Sequence, residues 1–161
     1  TYLINGVEEQ ILIDRLFILN QGGKQVSHDW FEIPASLQGK GITKKVMLDS
    51  MALYERIGVK RISIHAGLSQ GGYVWAKYGF VPSESAWNRI SFELSERANS
   101  LYGDNVPEGL KASLARSDPK SLWDVADHPE GKKLLQGTGW MGTLSFDDIE
   151  AMSRYKHYGR R

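Results

Sequence analysis

Cysteine is absent from the 161 residues, which excludes disulfide scaffolds, cysteine nucleophiles and thiolate zinc sites together. The compartment is left open by that absence, with the cytoplasm favoured. Excess charge of one sign is also missing. Twenty Lys and Arg stand against 19 Asp and Glu, a net charge of +1, so bulk electrostatics supply no general attraction to nucleic acid or to an anionic membrane. No run of about twenty apolar residues exists, and the opening TYLINGVEEQ has neither the basic segment nor the apolar stretch of a signal peptide. No membrane span is expected. Repeats and low-complexity linkers are missing too. What is there, 41% hydrophobic and 24% charged residues, is the composition of one globular domain with a core of its own. Because the chain begins at Thr1 and stops at Gly159-Arg160-Arg161, it reads as a domain excised or processed from a longer polypeptide.

The first third predicts strands joined by tight turns at Asn5-Gly6 and Gln21-Gly22-Gly23. Gln10 to Leu19 is apolar at both odd and even positions, the pattern of an inner strand. Val26 to Ile33 follows as another strand, ended by Pro34. From Ile42 to Ile57 the spacing turns helical, with Val46, Met47, Met51, Tyr54 and Ile57 on one apolar face and Gly58 where a C-terminal cap belongs. Val59 to Ala66 predicts a strand with Ile62 and Ile64 on one side, and Ser69 to Tyr78 a second helix. A strand, helix, strand crossover calls for a parallel pair in a mixed sheet. Further on, Trp87, Ile90, Leu94 and Leu101 fall at helical spacing. Short helical pieces separate Pro107, Pro119 and Pro129, Gly137 to Phe146 returns as a strand, and Asp147 is a candidate N-cap for a last helix through Ser153. The expected fold is therefore α/β, with a mixed, mostly antiparallel sheet. Residues 1–95 form the core and 96–161 a helical extension packed on it.

One stretch carries chemistry. A strand ending at Ile33, the loop Ala35-Ser36-Leu37-Gln38-Gly39-Lys40-Gly41 and a helix from Ile42 make a strand, glycine loop, helix unit. The first N–H groups of a helix have no intrahelical partner and sit at the positive end of its dipole, so an anion satisfies them. Gly39 and Gly41 keep side chains out of the way, while Lys40, Lys44 and Lys45 add cationic charge that is unfavourable for the dipole unless an anion offsets it. The plain alternative is a strand-to-helix turn punctuated by two glycines. Neither a Walker loop nor the Gly-x-Gly-x-x-Gly of dinucleotide folds is present.

Gln38-Gly39-Lys40-Gly41-Ile42-Thr43 resembles the Arg/Gln-x-x-Gly-x-Gly/Ala motif of the GNAT superfamily of N-acetyltransferases. Strand VKRISIHA and the later WAKYGF, similar to a Tyr-x-x-x-Gly-Phe ending in that family, follow in its order, so the resemblance spans Leu12 to Phe80. It implies that residues 38–43 cradle the diphosphate of acetyl-coenzyme A, that the strand ending at Ile33 bonds the pantetheine arm through its backbone, and that an acetyl group passes to an amine acceptor. Thr43 departs from the usual Gly or Ala. Leu68 and Trp75 stand where the family commonly has Asn and the Tyr that protonates the leaving thiolate, and the Trp87 to Leu101 helix stands where a strand is expected.

Acetyl transfer to an amine requires a base or water chain and a proton donor for the leaving group. Glu32 and His65 are the candidate bases and Tyr73 the candidate acid. Against these, Glu32 reads equally as a solvated carboxylate, His65 as a structural imidazole and Tyr73 as a pocket wall. His28-Asp29 has no companion ligands for a metal. A different class of function is a catalytically silent binding module of a larger toxin, effector or phage protein. Gly67-Leu68-Ser69-Gln70-Gly71 also satisfies the Gly-x-Ser-x-Gly pattern of a serine hydrolase, with Ser69 as nucleophile. Finally, residues 154–161 mix cations with aromatics, a composition suited to phosphate contact and base stacking. In a nearly neutral chain a solvated tail is favoured over nucleic-acid contact.

Overall fold

The computed structural model describes residues 2–4, 7–9, 12–32, 34–37, 40–67 and 71–160. Strands β1 (Tyr2–Ile4) and β2 (Val7–Glu9) pair antiparallel as a two-stranded sheet of their own. The main sheet has five strands, and its first two, β3 (Leu12–Asn20) and β4 (Gly23–Glu32), form an antiparallel hairpin. At its turn the Asn20 side-chain oxygen accepts the Gly22 N–H at 2.9 Å, an Asx turn. A single 3-10 turn at 35–37 leads to α1 (Ile42–Arg56), followed by β5 (Val59–Ala66), α2 (Gly71–Lys77) and the two-residue strand β6 (Val81–Pro82). Four helices then run in succession: α3 (Glu84–Tyr102), α4 (Glu108–Ala115), α5 (Ser121–Asp127) and α6 (Gly131–Leu135). Strand β7 (Trp140–Ser145) and helix α7 (Ile149–Arg160) complete the chain. No helix of the described residues is long and apolar enough to cross a membrane.

Strand order is β3-β4-β5-β7-β6. Every pairing is antiparallel except β4 with β5, which α1 connects as a crossover. The expected mixed, mostly antiparallel α/β architecture is the one observed. Strand β7 comes from the part expected as a helical extension and lies inside the sheet, between β5 and β6, so this part completes the sheet as well as covering it. The Trp87 helix does follow a strand, but one reduced to Val81–Pro82, before four helices intervene ahead of β7.

The core lies on one side of the sheet. Val26, Ile62 and Leu144 align across β4, β5 and β7 and are buried, as are Ile64, Trp140 and the inner faces of the helices. On α1 that face is Met47, Ser50, Met51 and Tyr54, as the period of 3.6 requires. Trp87, Ile90 and Leu94 are the buried face of α3, continued by Ala98, while Leu101 is 42% exposed. The opposite side of the sheet carries Ser27, Ser63 and Thr143 in register, then Arg61, His65 and Met141, and none of these is fully buried.

Two expectations are corrected. The strand read as an inner one is β3, at the edge of the sheet, with Leu12, Leu16, Phe17, Ile18 and Leu19 all exposed. Apolar residues at every position report that both sides of a strand need cover; they do not report its place in the strand order. The C-terminal segment read as a solvated tail is helical. α7 buries Ala151, Met152, Tyr155 and Gly159, a helical stripe hidden by the cationic composition around it, and its first turn is capped by Asp148, whose Oδ1 accepts the Ala151 N–H at 3.1 Å, rather than by Asp147.

Candidate functional site

The sheet opens between its two parallel strands. β4 and β5 pair from Lys24 and Val59 as far as His28 and Ile64, and no further rung joins them. Beyond that point β4 stays with β3, Trp30 opposite Asp14 and Glu32 opposite Leu12. β5 stays with β7, His65 opposite Met141 and Ala66 opposite Trp140. A β-bulge marks the parting: Asp14 faces Trp30 and Arg15 faces His28, leaving Asp29 as the extra residue. Bulges bend a strand and re-aim it, and here the bend carries β4 away from β5. Among the described residues, the resulting V has backbone N–H and C=O groups on both inner edges that no neighbouring strand pairs, a ready acceptor for an extended ligand.

Below the V the chain turns into α1. Gly41 is the N-cap residue at φ 73°, in the left-handed region, and no side chain caps the helix. Among the described residues a β-carbon at Gly41 would meet nothing within 4 Å, so glycine is suited there for its backbone angle. The first turn of α1 has no acidic residue and carries Lys44 and Lys45. An open pocket of about 540 Å³ adjoins it, bounded by Gly41, Lys44, Lys45 and Asp49 on one side and by Gly159 and Arg160 of α7 on the other. Lys45 pairs with Asp49 at 2.8 Å, and the Lys44 ammonium lies 5.1 Å from the centre of the Tyr158 ring. The local field is cationic although the chain as a whole is nearly neutral.

Helix α7 reaches this position by close packing on α1. Gly159 sits against Leu48; a β-carbon there would come within 2.8 Å of the Leu48 side chain. One turn earlier the Tyr155 hydroxyl donates to the Met47 carbonyl at 2.9 Å. Tyr155, Tyr158, Tyr78, Trp75 and Phe80 form one aromatic cluster between α2 and α7, with ring centres 4.8–6.5 Å apart. Burial, and then the neighbouring Tyr158, push the Tyr78 phenol well above its usual range.

A second polar group lies between the sheet and α1. His28, the last residue of β4 to pair with β5, has its Nε2 at 2.7 Å from the Tyr54 hydroxyl. Arg15 of β3 donates to Ser50 Oγ at 2.8 Å and lies over the Tyr54 ring. Burial, and then the Arg15 charge, lower His28 to about 4 against a smaller opposing effect of Asp29, so the imidazole is neutral at pH 7.

Among the sequence candidates, Lys40, Gly41, Ile42 and Thr43 form the entry to α1, the first two exposed and the last two half-buried. Ile33, Gln38 and Gly39 lie outside the described residues, as does Ser69. Glu32 closes β4 on one arm of the V, and His65, exposed, is the first residue of β5 past the last shared rung. The two strand positions therefore flank the same opening. Tyr73 is half-buried on α2, beside Tyr158, whose ring lies 5.1 Å from the Lys44 ammonium. Trp75 packs edge-on against Phe80 at 5.1 Å. His128, which a hydrolase reading could recruit, accepts the Glu130 N–H through Nδ1 at 3.1 Å at the start of α6. Sequence reading missed Arg160, Tyr158 and the His28–Tyr54 pair. For the first two the signal was present as the 151, 155, 159 spacing. For the third, nothing local announces a contact between residues 26 positions apart.

The chain matches no protein-family model, and comparison with curated proteins and with solved structures likewise gives no match.

Proposed function

We propose that this domain binds acetyl-coenzyme A and transfers the acetyl group to an amine. The observation that carries the reading is the continuity of three features along residues 24–45: a parallel strand pair that opens at a bulge, a loop that ends in a left-handed glycine, and an uncapped helix N-terminus with lysines in its first turn. In this reading the pantetheine arm lies in the V and bonds the free edge of β4, while the diphosphate rests on the first N–H groups of α1 between Lys40, Lys44 and Arg160. The amine nitrogen attacks the thioester carbonyl carbon, the carbon–sulfur bond breaks, and the thiolate leaves with a proton. His65 or Glu32, at the two arms of the V, takes the proton that the amine gives up, and Tyr73 is the proposed donor to the thiolate.

Thermal unfolding with acetyl-coenzyme A tests the binding step. Ligand at one hundred times its dissociation constant should add about 2.7 kcal/mol, and a chain with no shift at saturating coenzyme does not bind it. Gly41→Asp is a sharper probe. Asp tolerates the left-handed region better than most residues, so the variant should fold, while its carboxylate repels the diphosphate. Coenzyme affinity is expected to fall at least about tenfold, and unchanged affinity in a folded variant removes the loop from the site.

A catalytically silent binding module has one observation in its favour: the position where the resemblance calls for a phenol holds Trp75, packed against Phe80. Release of free thiol from acetyl-coenzyme A in the presence of amines separates the two. An enzyme releases it and His65→Ala slows the release; a silent module is stabilised by the coenzyme and releases none.

A further inference from the structure

We propose that the free edge of β3 pairs antiparallel with β3 of a second copy of this chain, joining two five-stranded sheets into one. Strand β3 has the composition of an interior strand and an edge position. Among the described residues its only strand partner is β4, which leaves a nine-residue row of backbone groups free on the other side. Much of the usual protection of such an edge is lacking: β3 contains no proline and no lysine, and the bulge of the hairpin is on β4, which leaves Asp14 and the inward-turned Arg15 as its charges. Leu12, Leu16 and Ile18 are exposed on the open face of the sheet, and Phe17 and Leu19 on the helix side. An apolar surface of this kind on both sides of one edge strand marks an interaction site.

The edge suits its own copy. A two-fold axis perpendicular to the sheet through Leu16 keeps like faces together. It sets Leu16 opposite its mate, Ile13 opposite Leu19, Arg15 opposite Phe17 and Asp14 opposite Ile18. The strand has one charge of each sign and this register puts neither opposite its like, while the Arg15 guanidinium is already turned inward to Ser50 and Tyr54. Phe17 packs edge-on against Tyr54 of α1 at 6.1 Å. The axis brings a second α1 to the same face, so that Phe17 and Leu19 come to lie between two helices. The interface needs nothing from the coenzyme site.

Sedimentation of the chain at micromolar concentration should show a dimer, and Leu16→Lys should weaken it roughly hundredfold or more. Hydrogen exchange should show the amides of β3 that do not bond β4 becoming protected as concentration rises. Phe92→Lys, an exposed apolar residue on α3, should leave the dimer intact. A chain that stays monomeric, for instance because its own β1–β2 hairpin covers the edge, overturns the proposal. So does a dimer indifferent to Leu16→Lys, or one lost on Met141→Lys instead, which indicates stacking through the open face. Should Leu16→Lys fail to fold, Leu19→Lys, at a position 78% exposed, serves in its place.

Discussion

Tyr155→Ala is expected to destabilise the protein by about 3 to 5 kcal/mol, the range for deleting a buried aromatic side chain. The ring is 1% exposed, packs 4.9 Å from Tyr78 and 6.5 Å from Phe80, and its hydroxyl bonds the Met47 carbonyl. It ties α7 to the backbone of α1. The loss should therefore exceed that of an isolated core position in one respect: α7 carries Gly159 and Arg160 to the edge of the pocket at the start of α1, so loosening it removes one wall. Tyr155→Phe keeps the packing and forfeits about 1 kcal/mol for the hydrogen bond. Urea unfolding of the three proteins, with coenzyme affinity measured alongside, checks both statements. Tyr155→Ala with stability within 1 kcal/mol of Tyr155→Phe would show that α7 does not depend on this anchor.

Acidification should destabilise the fold by about 3 kcal/mol through His28 alone. The group's pKa is lowered in the folded state from 6.5 to about 4, because the buried ring would otherwise place a cation beside Arg15. Between these two values the unfolded chain binds a proton that the folded chain does not, so stability rises with pH across this window. The contribution is complete above about pH 6.5, falls as pH drops towards 4, and is gone below. Asp127 behaves in the same sense lower down. Burial pushes its carboxyl up, but Arg154 and Lys77 outweigh this and hold it at about 2, so its contribution is lost between about pH 4 and pH 2. The separation of the windows makes the assignment testable. His28→Gln, which can still meet the Tyr54 hydroxyl, should flatten the dependence of unfolding free energy on pH between 6.5 and 4 and leave the fall below 4 unchanged. A variant with the original slope in the upper window places the acid sensitivity elsewhere.

Where the sequence was read correctly, short-range rules carried the reading. The α1 face is legible because residues three and four apart must share one side of a helix, and Gly58 supplied its end at φ 78°. β5 is legible because Ile62 and Ile64 alternate with Ser63 and His65. The loop at Gly41 is legible because a left-handed residue before an uncapped helix with lysines leaves a recognisable string. Where the reading failed, the missing information was long-range. The apolar run in β3 could not say whether a neighbour lies on each side of it. The tail could not be seen as a helix face until Met47 and Leu48 were brought against Tyr155 and Gly159, more than a hundred positions away in the chain.

The amino-acid order by itself determined the element types up to Ser153, the strand, loop, helix order leading into α1 and the cationic character of that helix entry, because these depend on contacts within a few residues and on local charge. The three-dimensional arrangement alone decided the rest: that β4 and β5 part at His28 and Ile64, that β3 stands at an edge, that Glu32 and His65 border one opening, and that Arg160 joins Lys44 across a pocket. Each of these is a relation between segments that only the burial of a shared core on one side of the sheet brings together.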